Sequence, residues 1–250
     1  MLVIVVHTNL TSLSRGLRRF ITYQKNGLVN VDLKCSQPFF LSILLCANFY
    51  SDNPLHQLNL TAIEQYSPKE LRSTKQLQNG IKERIANTIT LCNSKSAAEN
   101  DIKRYIEEVQ NGTFYEYFQG LIELETGKMY TRKEVKALTY RVLFTHNYIK
   151  TRDSKEKCAI FKKCFPTVYS VIELLKTNRY ETLAILLQSI ESYIFIDRIA
   201  KRITADFPDL PFYTIHDSIL TLADYKNEVA EIIRSEIFIA TGLNPKLDFD

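Results

Sequence analysis

Leu28-Val29-Asn30-Val31-Asp32-Leu33 has the two-residue alternation of a β-strand. Val29, Val31 and Leu33 fall on one face, and Leu28, Asn30 and Asp32 on the other. Asp32 lies near the end of the strand, just before Cys35-Ser36-Gln37-Pro38 breaks the pattern. An acid at the end of a buried strand is well placed to hold a metal. An aspartate at such a point also serves as a turn residue or helix N-cap. This segment alone leaves both readings open.

A second acid interrupts a second strand-like run, Phe212-Tyr213-Thr214-Ile215-His216-Asp217-Ser218-Ile219-Leu220. Strands are depleted in Asp. Either His216-Asp217 is the tip of a tight hairpin, or Asp217 serves chemistry. Two carboxylates on adjacent strands suit divalent cations, which can stabilise the attacking and leaving oxygens of a phosphoryl displacement. Oxygen ligands point to Mg²⁺, two ions, with Mn²⁺ as a substitute.

Between these segments, Thr131–Phe144 reads as a helix. At 100° per residue, Arg132, Lys136, Tyr140 and Phe144 form one stripe, and Val135, Leu138 and Val142 an apolar stripe roughly opposite. Two cations followed by two aromatics can grip a triphosphate and stack on sugar and base. A solvated basic face is the plainer alternative, which Phe144 disfavours.

Composition bounds the rest. The chain has 250 residues and 45% apolar content, enough for a sizeable core and too much for wholesale disorder. Only 7 Gly and 7 Pro favour long helices over a β-sandwich. Met1–Val6 is too short for a signal-peptide core, and Phe39–Ala47 falls short of a membrane span. The 5 cysteines form no C-x-x-C pair and read as reduced thiols of a cytoplasmic protein. Lys150–Cys164 carries a net +4, equal to that of the whole chain. This segment is read as a solvated surface loop or a phosphate-backbone contact. Thr88–Asn100 is a looser, polar stretch. Helices are expected over Glu181–Ala205 and near Lys226–Ala240.

Three segments then agree in type, order and spacing. Val31-Asp32-Leu33-Lys34-Cys35-Ser36-Gln37, Arg132-x3-Lys136-x3-Tyr140-x3-Phe144 and Ile215-His216-Asp217-Ser218 resemble the first metal motif, fingers helix and second metal motif of family A DNA polymerases and phage-type single-subunit RNA polymerases. Leu187-Gln188-Ser189-Ile190-Glu191 resembles the family's glutamine-bearing helix near the primer–template minor groove. Arg18-Arg19-Phe20 resembles an Arg–Phe pair before the first motif, and His7-Thr8-Asn9-Leu10 a template-contacting segment.

The resemblance implies an α+β right-hand polymerase. Residues 1–50 and 166–250 would form a palm around a small antiparallel sheet. Residues 51–165 would form inserted helical fingers. Asp32, Asp217 and the Leu33 carbonyl would hold two Mg²⁺ ions. Arg132 and Lys136 would bind the nucleoside triphosphate, and Lys136 would protonate the departing pyrophosphate. Tyr140, Phe144 and Gln37 would line the nucleotide pocket, while His216, Gln188 and Arg19 would contact the primer–template.

The departures are informative. Gln37 stands where the DNA enzymes carry a glutamate that gates against the ribose 2′-hydroxyl. Thr145 stands where a glycine is usual, and Ser218 is closer to the RNA enzymes. Tyr140 and Phe144 favour deoxynucleotides. Only 31 residues precede Asp32, and no thumb is evident among them, which leaves a fragment of a longer chain, a partner protein that supplies the grip on duplex, or a minimal, distributive enzyme. The alternatives are a non-catalytic nucleic-acid-binding relic of this fold, an RNA-polymerase-like enzyme, or a metal-dependent phosphohydrolase using Asp32, His216 and Asp217.

Overall fold

The computed structural model describes residues 13, 15–18, 20–51, 55–66, 79–96, 100–146 and 151–250. Arg19 and His7–Leu10 lie outside them. The architecture is α+β, with helices packed around a small antiparallel sheet.

Strand β1 (Thr22–Tyr23) turns through Gln24-Lys25 into β2 (Asn26–Leu33). Helices follow: α1 (Ser36–Leu44), α2 (Leu60–Tyr66), α3 (Asn79–Asn93), α4 (Asp101–Asn111), α5 (Phe114–Thr126), α6 (Arg132–Phe144), α7 (Arg152–Cys164), α8 (Pro166–Leu175) and α9 (Glu181–Ser192). The chain continues helically through a π-helical stretch, Tyr193–Ala200, into α10 (Lys201–Asp206). The hairpin β3 (Phe212–Ile215) and β4 (Ser218–Leu222) precedes α11 (Lys226–Thr241) and β5 (Leu247–Phe249).

Strand β2 is the axis of the sheet. It pairs antiparallel with β4, placing Asp32 opposite Ser218, and with β5, placing Asp32 opposite Asp248. Asp32 is therefore flanked on both sides by other strands. The expected alternation holds: Val31 and Leu33 are buried, and Asp32 between them is partly exposed. Helix α11 packs on β2 and β4, and the π-helical stretch contacts β3.

The helical region joins the same core. Buried side chains run continuously from β2 and α1 through α3–α9 to α11. Its densest part is aromatic. Phe165, fully buried, has its ring centroid 5.3 Å from both Phe118 and Phe161, 5.5 Å from Tyr105 and 5.9 Å from Phe114. Asp101, also buried, fixes the neighbouring helix start. Its Oδ2 accepts from the amides of Thr167 (2.7 Å) and Val168 (3.1 Å), which satisfies two donors otherwise orphaned at the α8 N-terminus.

Two expectations change. Thr88–Asn93 is not loose but the end of α3, where the Thr88 and Thr90 hydroxyls bond back to helix carbonyls. The basic segment is not a loop but helix α7. Lys162 pairs with Glu173 (3.7 Å) and Lys163 with Glu125 (2.5 Å), so neighbouring helices neutralise part of the charge. Polar composition suggested irregularity in both places, but i→i−4 bonding and ion pairing absorbed it.

All five cysteines are unpaired. Among the described residues, no helix is long and apolar enough to cross a membrane.

Candidate active site

The cleft between sheet and helices, about 700 Å³, is of the size of a small-ligand site. Leu28, Asn30 and Asp32, the side chains on one face of β2, all line it. From the hairpin come His216 and Asp217, and from α6 come Arg132, Lys136 and Tyr140. Leu33 lies in the wall as well. Residues from three distant segments thus meet in one place.

The structure shows the hairpin, with Asp217 at its tip and in the lining of the cleft. His216-Asp217 is a two-residue turn closed by the pair Ile215 and Ser218. The Asp217 carbonyl accepts from the Leu33 amide at 3.1 Å, which ties the turn to the end of β2. His216 takes φ 54°, a left-handed conformation that glycine fills most cheaply. Cys35, just past the other acid, takes φ 53° and also lines the cleft. Non-glycine residues held in this region commonly mark functional sites.

Helix α6 begins with a capping box. The Thr131 hydroxyl accepts from the Glu134 amide, and the Glu134 carboxylate accepts from the Thr131 amide at 2.8 Å. Val135, Leu138 and Val142 are buried, as the apolar stripe requires. The opposite stripe faces the cleft for three of its four positions. Arg132 Nε donates to Glu116 Oε1 at 2.6 Å, and its guanidinium lies over Tyr115 at 5.1 Å. The Lys136 ammonium lies 5.5 Å from the Tyr140 ring centroid. Phe144, one turn on, is not among the cleft residues. It is exposed, with its ring 5.9 Å from Tyr140.

The sheet wall is acidic and the helix wall basic. Asp248 and Asp250 of the C-terminal segment join Asp32 and Asp217 in the lining. Asp250 is bonded through its backbone to Asn30, and Asp248 pairs with Lys34 at 3.8 Å. Among the described residues, no three His, Cys, Asp or Glu side chains converge as a closed metal cage. The chemistry of the donor set is open: carboxylates on one wall and room beside them. That suits Mg²⁺, which keeps several waters and takes few protein ligands. Asp32 and Asp217 could hold such ions, and Leu33 lines the same cleft.

Gln37 and Gln188 do not join this lining. Gln37 sits in the first turn of α1, where its Nε2 donates to Glu191 Oε2 at 3.0 Å. Gln188 is half-buried on α9, three residues before Glu191. Arg19 lies outside the described residues.

Sequence reading did not single out Glu191, which accepts from Gln37 and lies close enough to Asp217 to feel its charge. Burial and the nearby Asp217 push its carboxyl up to about 8, opposed by the bond from Gln37. It is the lone acid within the run Thr182–Phe195, and that isolation was its signal. Asp248 and Asp250 gave less signal, because a strand as short as Leu247–Phe249 has no period to read.

The raised Glu191 value sets a pH dependence. The folded protein keeps a proton there that the unfolded chain releases near 4.5. This stabilising contribution is complete below that pH, drains as pH rises, and is gone above about 8. In chelator, wild type is expected to lose more stability between pH 5 and 8 than Glu191→Gln does. Urea midpoints at the two pH values check it, and parallel losses would exclude a shifted Glu191.

The chain matches no family model and no curated protein sequence.

Proposed function

We propose that this chain is a template-directed nucleotidyltransferase, a family A-like polymerase palm and fingers that extends a primer 3′ end. The observation that carries the reading is the meeting of Asp32, Asp217, Arg132, Lys136, Tyr140 and His216 around one cleft. These are residues that the family resemblance selects from three separate segments.

In this reading the primer 3′-hydroxyl gives up its proton to solvent as its oxygen attacks the α-phosphorus of the nucleotide. A new P–O bond forms as the bond to the bridging oxygen breaks, and pyrophosphate leaves. Arg132 and Lys136 neutralise the triphosphate from the α6 wall. Glu116 holds Arg132 between turnovers. Theirs is a half-exposed pair worth no more than ~1 kcal/mol, so phosphate displaces it readily. The Lys136 ammonium hands a proton to the departing pyrophosphate. Tyr140 stacks against the nucleotide, and His216 meets the primer terminus. Mg²⁺ held by Asp32 and Asp217 would orient the reacting oxygens and offset their developing charge.

The test is primer extension by purified protein on DNA and RNA templates, with deoxynucleotides and ribonucleotides compared. Mg²⁺-dependent incorporation favouring deoxynucleotides is expected. Lys136→Met is expected to lower kcat/KM by about a hundredfold, the scale of one general acid with its phosphate contact. Primer–template binding without incorporation would instead identify the chain as a non-catalytic relic.

A further inference from the structure

Lys176 is a buried cation that the proposed chemistry leaves unused. It is 4% exposed, at the C-terminal end of α8. Its Nζ donates to the carbonyls of Val142 (2.5 Å) and Thr145 (3.0 Å), across 34 and 31 residues of sequence. Val142 lies in the last turn of α6, and Thr145 is its C-terminal cap. Carbonyls there lack helical partners and form the negative end of the helix dipole, so an ammonium suits them.

The placement is costly. Burial pulls the lysine down from 10.5 to about 8, opposed by Cys158 of α7 and Glu173 of α8. Glu173 is itself engaged with Lys162. An unbranched apolar side chain of similar length would fill the same space without this penalty. What the lysine adds is a charged bridge from α8 to the end of α6. The start of α6 is already secured by its capping box. Lys176 secures the other end.

We infer that Lys176 is a positioning residue, clamping the C-terminal end of α6 so that Arg132, Lys136 and Tyr140 stay aligned over the cleft. This rests on the reading of α6 as the nucleotide grip.

Wild type, Lys176→Met and the exposed control Lys162→Met are compared by amide hydrogen exchange and by primer extension. In Lys176→Met, amides at 141–145 are expected to exchange about tenfold or more faster, the scale of lost bonds to a charged donor, with α9 and α11 unchanged. The KM for nucleotide is expected to rise about tenfold, with that for primer–template unmoved. Lys162→Met should do neither. Unchanged exchange at the end of α6, or equal acceleration in every helix, would overturn the clamp. If Lys176→Met does not fold, Lys176→Gln takes its place in the exchange comparison, and the same outcomes support or overturn the clamp. Absence of incorporation by wild type would defeat the nucleotide-grip reading, while the exchange result would still decide the clamp.

Discussion

Changing Asp32 or Asp217 to asparagine is expected to lower nucleotide incorporation at least about a thousandfold, or ~4 kcal/mol of transition-state stabilisation. Each substitution removes one negative oxygen ligand while keeping the side-chain volume. Neither residue is buried, so folding should survive. Asp32 is held by strand pairing on both sides, and Asp217 by the bond from the Leu33 amide to its carbonyl. The positions are rigid, and the loss cannot be repaired by a shift of the backbone. Because both would serve one centre, the double variant should be little worse than either single one. Single-nucleotide incorporation, with thermal melts to confirm folding, measures this. Activity within tenfold of wild type in both variants would remove these residues from the chemistry.

Phe165→Ala is expected to destabilise the protein by ~3–5 kcal/mol, whatever the chain does. The ring is fully buried and surrounded by Phe114, Phe118, Phe161 and Tyr105. Those neighbours belong to α4, α5 and α7, whose packing fixes their rings. The cavity left behind cannot collapse, so lost burial and lost edge-to-face contacts add. Urea unfolding reads the change as a lower midpoint at constant slope. A loss under ~1 kcal/mol would mean that the aromatic cluster is not closely packed.

Much of this was legible where local chemistry and tertiary role agree. The alternation around Asp32, the apolar stripe of α6 and the β-formers flanking His216-Asp217 each led to the right element. Two polar stretches misled, because their polar residues masked a buried stripe at helical spacing, Ile81, Ile85, Ile89 and Cys92 on α3 and Cys158 and Phe161 on α7. Gln37 shows the limit for sites. Its position after Asp32 suggested a cleft residue, but its side chain turns to Glu191 from a helix far along the chain. Glu191, Asp248 and Asp250 reach the site region through packing and sheet register, which no local pattern encodes.

The most direct measurement is an anomalous-scattering map of crystals grown with Mn²⁺ and a nucleoside triphosphate. The expected result is density for metal within coordination distance, ~2.1 Å, of carboxylate oxygens of both Asp32 and Asp217, with the triphosphate against Arg132 and Lys136. Metal bound by Asp248 and Asp250 instead, or a triphosphate away from α6, would contradict it.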